Sequence, residues 1–168
     1  MPMKTSSKNE FFTWFLAGPI FVPARLVEQR LVDTYHDYNY PTDGFIWRAA
    51  VTKELERYGM RCVDPYSGEA MAWVKLYGES DGYRNLIESD EIDGIIAIVR
   101  PHNVEYIKEK NLKIALEVKG KPVVMWPTDL YATEKMRCKY CIVNSLEWVI
   151  LRCSMIRDYV RELEKRKR

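Results

Sequence analysis

The run Ile92-Asp93-Gly94-Ile95-Ile96-Ala97-Ile98-Val99 constrains this chain more than any other part of it. A strand with one wet face alternates apolar and polar side chains. After Asp93 this run is almost wholly apolar, so both of its faces must be covered. Arg100-Pro101 closes it. A strand covered on both faces belongs inside a parallel sheet with helices above and below, and the sequence has to supply those helices.

It does. Phe11 to Ala17 is a short aromatic run that Gly18-Pro19 ends. Phe45 to Tyr58 is helical, with Ile46, Trp47, Ala50, Val51, Leu55 and Tyr58 on one face, Thr42 or Asp43 as cap and Gly59 as stop. Met60 to Val63 is a strand ending at Asp64-Pro65, Tyr66 to Asp81 reads as irregular, and Tyr83 to Ser89 is a short helix. A helix falls within Val104 to Lys119. Gly120-Lys121-Pro122 then turns into the strand Val123 to Trp126, and Tyr140 to Val143 adds a small edge strand. The last helix, Leu146 to about Leu163, carries the stripe Leu146, Val149, Ile150, Cys153, Ile156, Val160 and Leu163, with Asn144 and Glu147 spaced as a capping box. Between the first strand and first clear helix, Ala24 to Asp33 is partly helical and Tyr35 to Gly44 is a turn-rich aromatic loop.

Strands alternating with helices imply one α/β domain over residues 1–168, in three layers, with a mainly parallel sheet of four to five strands between helices. Residues 1–10 are expected to be flexible, and 164–168 to form a basic, solvated helix end.

Composition narrows the function classes. With 47% hydrophobic and 30% charged residues the chain is neither disordered nor a membrane protein, and no apolar stretch nears the roughly 18 residues of a membrane span. A net charge of +2, from 26 basic and 24 acidic residues, gives no footprint for nucleic acid. The polar start argues against a secretory leader, so a cytoplasmic setting with reduced thiols is expected. Cys138 and Cys141 form a lone CxxC, and with Cys62, Cys153, His36 and His102 as the other soft ligands no metal site and no cofactor is expected.

Ligands of parallel sheets bind beyond the carboxyl ends of the strands. Three such ends carry a turn residue followed by polar or aromatic groups: Gly18-Pro19-Ile20-Phe21, Asp64-Pro65-Tyr66-Ser67 and Arg100-Pro101-His102-Asn103. Each could be a plain strand stop, but a parallel sheet brings all three to one rim. There glycine admits close approach of a ligand, and Phe21 and Arg100 add an aromatic face and a cation.

Four segments in order carry a resemblance. Phe15 to Phe21, Leu55 to Pro65, Leu86 to Ile98 and Ala115 to Val124 resemble the opening strand and glycine loop, first helix and second strand, third strand, and Gly-Lys-Pro turn of the nucleoside 2-deoxyribosyltransferases and their nucleotide N-glycosidase relatives. The resemblance implies a flavodoxin-like or Rossmann-like fold and cleavage or transfer at an N-glycosidic bond. A glutamate there attacks the anomeric carbon, through an oxocarbenium-like transition state. It further implies a small nucleoside or nucleotide as ligand and a homo-oligomer. The position of the family's glutamate falls on Leu112 or, with one inserted residue, on Asn111. Glu109, then Glu105, are the nearby candidates for the carboxylate, although both could lie on a solvated helix face beside Lys108 and Lys110. The sugar-contacting aspartate falls near Arg84 or Asn85. The expected substrate-binding set is therefore Gly18, Pro19, Phe21, Asp64, Pro65, Asn85, Arg100 and Asn111. The alternative is a module of the same fold that binds a nucleotide or similar small ligand without turnover.

Overall fold

The computed structural model describes residues 10–18, 44–65, 67–99, 110–127, 141–143 and 145–167. Five parallel strands form one sheet: β1 (Phe12–Ala17), β2 (Met60–Val63), β3 (Gly94–Val99), β4 (Val123–Pro127) and β5 (Cys141–Ile142), in the order β2-β1-β3-β4-β5. The five described helices are α1 (Gly44–Arg57), α2 (Gly68–Tyr77), α3 (Glu79–Glu88), α4 (Lys110–Glu117) and α5 (Leu146–Lys167). This is the three-layer α/β arrangement, flavodoxin-like in strand order, that the apolar third strand demands.

Strand alternation divides the core in two. Phe15 and Ala17 of β1, Ile95 and Ala97 of β3 and Met125 of β4 face α2, α3 and α4. Phe12, Trp14 and Leu16, then Ile96 and Ile98, then Val124 and Trp126 face α1 and α5. Both faces of β1 and β3 are apolar because both are covered.

The lower rim, where the strands begin, is closed by polar groups. Asp93 accepts a hydrogen bond from Thr13 N at 2.9 Å and returns one from its own N–H to Thr13 O at 2.8 Å. The Lys121 ammonium donates to Ser89 O at 2.9 Å and also to Ile92 O. Gly94 is required here: a Cβ would stand 2.5 Å from the ring of fully buried Trp14.

Several elements differ from the sequence reading. The stretch from Tyr66 to Asp81 is not irregular but contains α2 and the start of α3. Gly78, with φ of +89°, separates two helices whose apolar periods merge into one confusing run. Gly82 lets them pack closely, since a Cβ there would meet Val74 Cα at 2.6 Å. Tyr58 leaves the apolar face of α1 and is exposed in the turn after it. The last helix runs past the expected end near Leu163 to Lys167, and Ser145 caps the helix through Trp148 N at 3.2 Å. Strand β4 includes Pro127, whose missing N–H falls at the strand's end. The expected flexible start, the aromatic loop, Asn144 and most of the segment before α4 lie outside the described residues. Among the described residues no helix is long and apolar enough to cross a membrane.

Candidate functional site at the carboxyl rim of the sheet

In this strand order the chain leaves β1 toward β2 on one side and later returns to β3 on the other. The carboxyl ends of β1 and β3 therefore flank the point where the winding reverses, which is where open α/β sheets hold ligands. Gly18 stands at that point. Its φ of +140° suits glycine, and a Cβ would press against Ile98 O at 3.0 Å and Ile98 Cβ at 3.1 Å. The chain thus leaves β1 in contact with the end of β3.

Both polar groups of Gly18 are held by side chains. Its N–H donates to Asn111 Oδ1 at 2.9 Å, and its carbonyl accepts from Arg48 Nη2 at 2.7 Å. Asn111 is 3% exposed and sits in the first turn of α4, so this bond fixes α4 against β1. Arg48 is 4% exposed; its Nη1 donates to Leu16 O at 3.0 Å and to Asp64 Oδ1 at 3.1 Å. One guanidinium thus binds the ends of β1 and β2 together, a use of its planar fork that a lysine would not reproduce.

Burial is unequal across the ion pair. The Asp64 side chain keeps 30% of its surface exposed against 4% for Arg48, so the pair shows solvent its acidic half. The corner behind Asp64 is firm: Ser67 N donates to Asp64 O at 2.9 Å, and Tyr83 Oη, across from α3, lies 3.4 Å from Pro65 O. Beside it on β2, burial pushes the Cys62 thiol up to about 12, so it is no nucleophile at neutral pH. Burial also raises the Cys153 thiol well above its usual value. Cys62, Cys141 and Cys153 carry free thiols, and no cluster of three or more His, Cys, Asp or Glu residues that could hold a metal ion occurs among the described residues.

Of the sequence-derived set, the structure brings Gly18, Asp64, Pro65 and Asn111 to one rim. Asn85 is not part of this hydrogen-bonded group: it is exposed on α3 and donates to Asp81 O of its own helix at 2.8 Å. Its neighbour Arg84 is bound to Glu117 at 2.7 Å, a surface tie between α3 and α4. Pro19, Phe21, Arg100, Glu105 and Glu109 lie outside the described residues.

Arg48 is the residue that the sequence reading missed. The signal was present: Arg48, Val51 and Leu55 repeat at helical spacing, which puts an arginine on the buried stripe of α1. A charge on that stripe requires a buried partner.

The fold and this rim define a class, a doubly wound α/β protein with a polar cluster at its topological switch point. Comparison with family models, with curated proteins and with solved structures gives no match for the chain.

Proposed function

We propose that this rim binds a nucleoside or nucleotide and that the chain cleaves or transfers its N-glycosidic bond through a carboxylate carried by the segment leading into α4. The observation that supports this most is the bond from Gly18 N to Asn111 Oδ1, which ties the first turn of α4 to the switch point. The covalent chain keeps Glu109 Cα within about 7 Å of Asn111 Cα, whereas Glu105 has a tether of about 20 Å. Glu109 is therefore the first choice for the nucleophile and Glu105 the second.

In the proposed reaction the carboxylate forms a bond to the anomeric carbon as the bond to the base nitrogen breaks. The base departs with the bonding electron pair and takes a proton from solvent; water or a second base then attacks the anomeric carbon, gives up its own proton to solvent, and frees the carboxylate from the glycosyl ester. Phe21 would stack on the base, and Arg100 would hold a phosphate if one is present. Asp64, half-buried and paired with Arg48, would also accept from a sugar hydroxyl. Free thiols at Cys62, Cys141 and Cys153 fit a reducing, cytoplasmic setting.

The test is release of free base from deoxynucleosides and their 5′-monophosphates. Wild-type protein should release base from at least one of them and Glu109→Ala should not. No release from any substrate would remove the enzyme reading.

A specific observation favours a second reading. Neither Leu112 nor Asn111, the two positions the resemblance offers for the glutamate, is acidic, and the Asn111 oxygen already accepts the Gly18 N–H. A module that binds the ligand without turnover would show ligand-dependent thermal stabilisation, equal in wild type and Glu109→Ala, and no released base.

A further inference from the structure

We propose that two copies of this chain pair through the outer face of α5, antiparallel about a twofold axis near Met155. The proposal is independent of the chemistry at the rim.

Helix α5 has two apolar faces. Val149, Ile150 and Cys153 are buried against the sheet. Away from them, Trp148, Leu151, Met155 and Tyr159 are 45%, 47%, 49% and 66% exposed. Their spacing of three to four residues makes them one continuous stripe. A helix that is apolar on opposite sides is normally covered on both. The stripe presents on the order of 400 Å² of side chain, comparable to the largest apolar patch of a typical monomer and about half of what each partner gives to a standard interface.

Charge selects a second copy as the occupant. Exposed Glu147 opens the helix, and Lys165, Arg166 and Lys167 close it. Glu147 and Lys165 are separated by about five full turns at 3.6 residues each, so they share one flank of the stripe. In an antiparallel pair about a twofold axis, residues on the same flank of the two copies face each other. Glu147 lies roughly 12 Å before Met155 along the axis and Lys165 roughly 15 Å after it, at about 1.5 Å per residue. Centring the pair on Met155 therefore sets Glu147 of each copy within lysine reach of Lys165 on the other, Leu151 against Tyr159, and Met155 against itself. The antiparallel arrangement also sets each helix's negative end beside the other's positive end. The basic end of the chain, solvated in a single copy, acquires a partner on this account.

The experiment is the concentration dependence of the mass of the full chain by sedimentation equilibrium. Wild type should reach a dimer. Met155→Glu should sediment as a monomer with unchanged circular dichroism. Glu147→Lys and Lys165→Glu should each weaken the dimer at least about tenfold, by setting like charges together, and the double exchange should restore it. A wild-type monomer at every concentration would overturn the proposal and assign the stripe to another occupant. So would a dimer indifferent to Met155→Glu, or a double exchange no tighter than either single one.

Discussion

The two rims of one sheet use buried polar groups to opposite ends. At the lower rim the Asp93 carboxylate accepts from Thr13 N while Asp93 N donates to Thr13 O, and Lys121 donates to the carbonyls of Ser89 and Ile92. That arrangement closes the backbone where β1 and β3 begin. At the upper rim Arg48 and Asn111 grip a single residue, Gly18, from both sides, and the acidic partner of Arg48 stays open to solvent. Buried polar groups thus fasten the backbone at one end and, on the reading proposed above, support a ligand at the other.

If that contrast is right, lower-rim changes cost stability alone, and upper-rim changes cost stability and binding together. The largest effect is expected at Gly94. Gly94→Ala drives a methyl into the fully buried ring of Trp14, and overpacking of this kind should cost about 3 kcal/mol in denaturant unfolding. Next is Arg48→Met, which strands two strand-end carbonyls. It should cost about 2 kcal/mol, below the value for a fully buried ion pair because Asp64 keeps water, and it should also abolish ligand-dependent stabilisation. Asp93→Ala strands the buried Thr13 N–H for about 1–2 kcal/mol and should leave ligand-dependent stabilisation intact. Equal binding losses in the Asp93 and Arg48 variants would break the contrast.

The last effect is absent at neutral pH and belongs to the alkaline range. The Cys62 thiol is raised from 9.0 to about 12 by burial, so the unfolded chain releases this proton more readily than the folded one. Its contribution to stability is complete below pH 9 and is lost as pH climbs from 9 toward 12. Cys62→Val should flatten that part of the stability profile, and the wild-type thiol should resist alkylation at neutral pH until the chain unfolds.

The fold was legible because its signals are large. A strand as apolar as Ile95 to Val99 has few places to go, and the glycine and proline stops mark the ends of β1, β2 and β3 faithfully. The α2–α3 pair was hidden because α2 is apolar on most sides while burying only Ala70, so no period stood out. Part of the rim was legible too: Gly18 and Asp64 announce themselves as strand ends, and Asn111 entered through resemblance. Arg48 was not found, since an isolated arginine in a helix looks solvated until its stripe is compared with Val51 and Leu55. The closing roles of Asp93 and Lys121 were likewise invisible. Their partners are backbone atoms, which carry no identity in a sequence.

The central claim is that the carboxyl rim at Gly18 is where a ligand sits. Amide chemical-shift mapping with a deoxynucleoside 5′-monophosphate tests it residue by residue. The account predicts that Gly18, Asp64 and Asn111 move on titration while Thr13, Asp93 and Lys121 stay still. Perturbation confined to the lower rim, or none at Gly18 at saturating ligand, would contradict it.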